Sequence, residues 1–199
     1  MTPAGSPDAE AQRLRTLHEL RILDTPGEEC FDAAVRLASR LTDCPMAALI
    51  FLDEERQWFK SVLGHVIQET PRELAFCNHA IGSDEVFQVQ DLRRDPRFAQ
   101  HPFVTGEPRV VFYASQPLSV EGQPIGTLCV YDMQPRVLHG DALQGLRDVG
   151  RLLSDMLRSR LREQRWRLQE ARVRTASRAG TDWLWETDAQ SRVTWLSPS

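Results

Sequence analysis

Lysine is nearly missing from this 199-residue sequence. Lys60 is the only one of the 24 basic residues that is not arginine, a bias that fits the coding habits of a GC-rich, bacterial genome. An excess of positive charge is missing too: the formal net charge is −4, so the chain offers no electrostatic footprint for nucleic acid. No apolar run approaches the roughly 20 residues of a membrane-spanning helix, and the N-terminus has neither the basic nor the apolar region of a signal peptide. These absences point to a cytoplasmic protein with no membrane span. Cys30, Cys44, Cys77 and Cys129 form no Cys-x-x-Cys pair, which argues for reduced thiols rather than a disulfide framework or a zinc knuckle.

What is present is organised around two apolar runs, Val110 to Val120 and Pro124 to Asp132, with a turn at Glu121-Gly122-Gln123. Alternation puts Val110, Phe112, Ala114 and Gln116 on one face of the first run, and Val111, Tyr113 and Ser115 on the other. Leu128 and Val130 need a cover of helices, while the region of Phe112 and Tyr113 is expected to wall a cavity. Upstream, residues 1–12 form a flexible leader grading into a helix over Asp8 to Leu23. Thr25-Pro26-Gly27-Glu28 has the pattern of a capping box that opens a helix from Pro26 to Thr42. Met46 to Leu52 is a strand buried on both faces and Arg56 to Leu63 a second strand. A short helix is expected over Glu73 to Ile81 and a strand over Val86 to Gln90. Asp91 to Pro108 is broken repeatedly by proline and glycine, and long irregular segments of this kind are usually functional. Asp141 to about Ala176 reads as one long helix. In its second half Leu157, Leu161, Gln164, Leu168, Ala171 and Thr175 keep a spacing of four and three that suits a two-helix seam, and hence a homodimer.

Several short motifs, in order, carry a family resemblance: Arg56-Gln57-Trp58-Phe59-Lys60-Ser61, Thr70-Pro71-Arg72, Phe76-Cys77-Asn78-His79-Ala80-Ile81, Asp95-Pro96-Arg97-Phe98, Phe112-Tyr113-Ala114 and Gly126 to Asp132. Over residues 13–157 the sequence resembles a bacterial GAF domain of the subgroup found N-terminal in diguanylate cyclases and histidine kinases. The resemblance implies an α+β sandwich: an antiparallel sheet in order 2-1-5-4-3, helices on one face and an irregular pocket segment on the other. Residues 158–179 would be a helical signalling linker. Asp182 to Asp188 and Arg192 to Ser197, with a turn at Ala189 to Ser191, resemble the first two strands of a PAS domain, so residues 180–199 are expected to be its truncated start. The implied role is a non-catalytic sensory and dimerisation module that relays an unidentified small molecule or partner to an output domain, a diguanylate cyclase first and a histidine kinase second.

The candidate pocket residues are Phe76, Cys77, His79, Asp91, Asp95, Arg97, Phe98, Phe103, Phe112 and Tyr113. Cys77 and His79 are close enough in sequence for an activated thiolate or two metal ligands. On a helix, however, positions two apart do not face each other; a buried thiol and a hydrogen-bonded histidine are the plainer reading. Asp91, Asp95 and Arg97, with Arg109, either hold a polar ligand or tie their own loop together. The phenylalanines line a pocket or simply fill the core. Cysteine attachment of a bilin matches poorly, and the residue set of cyclic-nucleotide-binding GAF domains is not recognisable; no cofactor is required by the sequence. An enzyme of the methionine sulfoxide reductase type would need Cys44, Cys77 and Cys129 to converge, whereas Cys129 falls in a strand and Cys44 at a helix end on the opposite layer.

Overall fold

The computed structural model describes residues 7–65, 67–179, 185–187 and 192–196. The chain divides into two compact units, residues 1–158 and 159–199.

In the first unit the apolar run Met46–Leu52 forms β1, with every residue buried, and Arg56–Leu63 returns as β2. A three-residue strand β3 (Glu69–Pro71) and another, β4 (Phe87–Val89), precede the long hairpin of β5 (Phe112–Val120) and β6 (Gln123–Asp132). The hairpin reverses through Glu121 and Gly122, both at positive φ (52° and 75°), the backbone that suits the right-handed twist of the flanking strands. All pairings are antiparallel, in the order β3-β2-β1-β6-β5-β4. With the short β3 set aside as an addition outside β2, this is the expected 2-1-5-4-3 sheet with the final hairpin inside it.

One face of the sheet is covered by helices. Leu17 of α1 (Pro7–Glu19), Phe31, Val35 and Ala38 of α2 (Glu29–Thr42), and Leu146, Val149, Leu153 and Leu157 of α4 (Gly140–Ala179) are all buried, while α3 (Pro102–Thr105) is a single turn within the irregular segment. Gln116 of β5 packs so closely on α4 that a Cβ at Gly150 would lie 2.3 Å from its Cγ. Phe112 and Ala114 share the Gln116 face by alternation, so Phe112 is a helix-side core residue and not a cavity wall. The period-two pattern is as read, but the layer each face meets is set by packing.

Three further expectations change. Glu73 to Ile81 is not one helix but two 3-10 turns, Arg72–Leu74 and Phe76–His79, separated by an extended Ala75 (φ −85°, ψ 114°). Helix α2 begins at Glu29 with no side-chain cap from Glu28, because Thr25, Pro26 and Glu28 bind Lys60 instead. Of the supposed leader, residues 7–12 are helical and Glu10 is hydrogen-bonded to Arg13 and Arg72; residues 1–6 lie outside the described residues.

In the second unit α4 continues to Ala179, and β7 (Trp185–Thr187) pairs antiparallel with β8 (Val193–Leu196). The expectations for residues 180–184, 188–191 and 197–199 fall outside the described residues. Leu157 and Leu161 are both fully buried in the chain, which removes them from a seam between copies. Gln164 is half-buried, Leu168 and Ala171 are exposed, and the side chain of Thr175 lies outside the described residues.

Candidate functional site

The irregular segment crosses the other face of the sheet. There Tyr113 of β5 and Cys129 and Tyr131 of β6 stand beside Met46, Ala48 and Ile50 of β1, and Phe76, Cys77, Phe98, Val104 and Val110 pack down on them. The segment's backbone is held at its ends: Leu92 N–H donates to Val111 O at 2.7 Å, and Val110 N–H to Phe103 O at 2.8 Å. His101 pins its middle. Its Nδ1 accepts from Phe103 N–H at 3.1 Å while Nε2 lies 3.1 Å from the Leu74 carbonyl, a pairing that only the neutral ring protonated on Nε2 can make. Burial lowers its pKa and favours that neutral form, against a smaller upward pull from the Leu74 carbonyl.

Between this segment and the sheet lies a cleft lined by Met46, Phe59, His65, Phe76, Cys77 and Tyr131, with Phe103, Pro108 and Val110 closing the other side. Its empty space is ≈ 450 Å³ including the open mouth, of which ≈ 40 Å³ is wide enough to admit water. That is room for about two or three water molecules. Apart from Gln57, Cys77, His65 and the Tyr131 hydroxyl the walls are apolar, and burial lowers the His65 pKa and favours its neutral ring, whose Nδ1 is buried with no partner. The cleft therefore offers no charge to an anion.

At its floor the structure brings together two thiols 52 residues apart in sequence. Cys77 Sγ and Cys129 Sγ are 3.6 Å apart, and the Thr127 hydroxyl is 3.0 Å from each. Tyr113 Oη completes the group at 3.3 Å from Cys77 and 3.5 Å from Cys129. All four side chains are buried, and Ser115, opposite Cys129 across the strand pair, has a buried hydroxyl with no partner. Burial raises the Cys77 thiol, but hydrogen bonds from Cys129, Thr127 and Tyr113 outweigh it and bring its pKa below the ordinary thiol value. Cys129 moves the other way, pushed well up by burial and by Cys77. No local pattern in the sequence brings this pair together. Cys44 does stay apart, its Sγ 3.6 Å from the Thr42 carbonyl after α2.

Other candidates fall elsewhere. His79 does not partner Cys77 but meets the Phe98 ring edge-on at 4.9 Å. Phe98 is buried behind Phe76, with ring centroids 5.4 Å apart. Asp95 accepts two hydrogen bonds from Arg97, at 2.9 and 2.6 Å, and one from its backbone N–H; Asp91 does the same with Arg93. Arg109 is paired with Glu107 at 3.7 Å. These loops tie themselves together, and none of Asp91, Asp95, Arg97 and Arg109 lines the cleft. Sequence reasoning missed Met46, Phe59, His65, Val110 and Tyr131. Tyr131 was readable as the same-face neighbour of Cys129; His65 lies in a loop whose path no local pattern specifies.

Residues 26–157 match the family model described as the GAF domain. Over 131 residues the chain is 40% identical to a cyclic di-GMP phosphodiesterase of Pseudomonas aeruginosa, covering 65% of this chain and 22% of that protein. The chain thus spans about a fifth of that relative's length. Among solved structures it is similar to the GAF domain of an Acinetobacter phosphoenolpyruvate-protein phosphotransferase, with a TM-score of 0.56 and 17% identity over 77% of this chain and 94% of that one. It is also similar to a domain of a putative two-component sensor histidine kinase protein of Sinorhizobium meliloti, with a TM-score of 0.52 and 19% identity over 73% and 99%. A free methionine-R-sulfoxide reductase of Neisseria meningitidis aligns with a TM-score of 0.55 and 12% identity over 80% and 95%. Identities this low speak for the fold alone. The matched family model, the sheet order and the helical cover on one face agree, and the chain belongs to the GAF domain family.

Proposed function

We propose that this chain is a cytoplasmic sensory and dimerisation module of a bacterial signalling protein whose output turns over cyclic di-GMP. The observation that carries the reading is the 40% identity to a cyclic di-GMP phosphodiesterase over 131 residues, well above the 12–19% of the three solved structures above. The expected cyclase output is widened accordingly to cyclic di-GMP turnover, by synthesis or hydrolysis. The 40-residue helix α4 supports a relay, since it starts on the sensory domain and continues beyond it. The β7–β8 pairing and the tryptophan-rich motifs around it support the start of a PAS domain between sensor and output. The small, neutral, apolar cleft favours a small uncharged effector over a nucleotide.

The module has no catalysis of its own in this reading. A sulfoxide reductase retains two of its three thiols in contact, but Cys44 stands apart, and a cleft with ≈ 40 Å³ open to water does not enclose an amino-acid-sized sulfoxide. The test is the cyclic di-GMP level of a bacterial host expressing the whole gene product, wild type or with the cleft filled by Val110→Phe. The wild type is expected to shift the level and the variant to change the size of that shift. A level unmoved by the wild type overturns the output, and identical shifts overturn the sensory role.

A further inference from the structure

The polar cluster under the cleft has no part in the relay just described, yet it is the most unusual chemistry in the molecule. Buried thiols in an apolar core are ordinarily isolated and inert. Here two of them touch, share one hydroxyl from Thr127 and a second from Tyr113, and one of them, Cys77, forms part of the cleft floor. We propose that Cys77 and Cys129 form a two-electron redox site, which an oxidant the size of hydrogen peroxide reaches through the cleft and closes into a disulfide. This goes beyond the cyclic di-GMP reading and does not rest on it.

The geometry divides the roles. Cys129 is fixed in β6 between β1 and β5, opposite Ala48 on one side and Ser115 on the other. Cys77 sits on a 3-10 turn that belongs to no sheet and lines the cleft, so it meets the oxidant first. Its depressed pKa, with the Thr127 and Tyr113 hydroxyls beside it, suits the attacking thiolate. In the first step Cys77 Sγ bonds to one peroxide oxygen, the O–O bond breaks, and the departing hydroxide takes the thiol proton as water, leaving a sulfenic acid. In the second, Cys129 Sγ bonds to Cys77 Sγ, the S–O bond breaks, and the hydroxide leaves with the Cys129 proton as a second water. Two thiols lose two electrons and peroxide gains them. The adjacent thiol intercepts the sulfenic acid before further oxidation, the arrangement of a sensor with a resolving partner.

Closing the sulfurs from 3.6 Å to a disulfide bond draws them together by about 1.5 Å. Cys77 is the one free to move, and Phe76 on the same turn moves with it. Its ring contacts Phe98 at 5.4 Å and His101 at 4.3 Å, so oxidation is transmitted to the irregular segment. The other thiols are built-in controls: Cys30 is exposed, and Cys44 is buried and donates a hydrogen bond to the Thr42 carbonyl.

The experiment exposes the fully reduced chain to hydrogen peroxide and reads intact mass and a tryptic map. The expected result is the loss of two hydrogen atoms and a dithiothreitol-reversible link between peptides 73–93 and 110–136. Cys77→Ser and Cys129→Ser abolish the link, Cys30→Ser and Cys44→Ser leave it, and circular dichroism checks that each variant is folded. Sulfinic or sulfonic acid at Cys77 without the linked peptides overturns the proposal, as does oxidation confined to Cys30. The wild-type map decides by itself if a serine variant fails to fold. Oxidised glutathione, too large for the cleft, is expected to leave the pair reduced over the same time; equal oxidation by both reagents overturns the small-oxidant assignment.

Discussion

The chain's one lysine holds a loop together. All three Nζ protons of Lys60 have an acceptor at 2.7 Å: Thr25 Oγ1, the Pro26 carbonyl and Glu28 Oε1. The side chain is wholly buried, its ammonium 5.5 Å from the Phe31 ring centre and 5.8 Å from that of Trp58. A compact point charge with three rotatable donors fits this cage, and a planar guanidinium does not, which explains a lysine in a chain that otherwise uses arginine. Lys60→Met takes the ammonium donor from Thr25 Oγ1, the Pro26 carbonyl and Glu28, and is expected to lower the unfolding free energy by about 2–3 kcal/mol in urea titration. At the same scale Glu10 accepts from Arg13 at 2.8 Å and Arg72 at 2.6 Å, and the Arg13 hydrogen bond leads the causes that lower its pKa from 4.5 to about 2. A depressed carboxyl stabilises the fold at neutral pH and loses that contribution as pH falls from about 4.5 towards 2. Glu10→Gln should therefore flatten the acid limb of the stability profile in that window. A limb identical to wild type would show that the two arginines are equally well satisfied by solvent.

Among the elements, β1 and β6 approach each other at a point that tolerates no side chain. Gly126 lies opposite Phe51, and a Cβ there would stand 2.1 Å from the Ile50 carbonyl oxygen and 3.1 Å from Phe51 Cα. Both obstacles are backbone in the centre of the sheet, so relief requires the strands to part. Gly126→Ala is expected to cost about 1–3 kcal/mol, read as a lowered denaturation midpoint. Gly82→Ala is the matched control, with nothing within 4 Å of its new methyl. Equal effects from the two substitutions would show that the contact is not what constrains position 126.

For the whole molecule the proposed dimer raises the question of which surface two copies would share. Large apolar side chains exposed on the sensory unit are Met133 and Val137 after β6 and, on the helical layer, Leu37 and Leu41 of α2 with Leu152 and Met156 of α4. Leu41 packs beside Gly145, two helical turns before Leu152 on the same side of α4, so those of the helical layer form one patch. In the second unit Trp166, Leu168 and Val173 are exposed. A dimer that buries the patch is expected to dissociate when Leu152 and Met156 are both changed to Asp, with the monomer's circular dichroism unchanged. Sedimentation equilibrium decides: a wild type that is monomeric at all concentrations, or a dimer indifferent to both changes, removes this interface.

The strands β1, β2, β5 and β6, the place of the turn between β5 and β6 and the approximate extent of α4 were determined by the sequence alone. Each is encoded by residues within a few positions of one another: alternating apolar residues, a glycine where φ is positive, a helical period free of proline. The sheet order followed from the family resemblance. Only the tertiary structure decided which layer each face meets, and so moved Phe112 out of the cleft while keeping its neighbour Tyr113 beneath it. It also turned a capping box into a lysine cage, closed Asp91 and Asp95 on Arg93 and Arg97, buried Leu157 and Leu161, and joined Cys77 to Cys129. These outcomes are contacts between residues far apart in sequence, or choices among local partners. They depend on how whole elements pack, where displacing a strand by one residue exchanges every side chain between its faces.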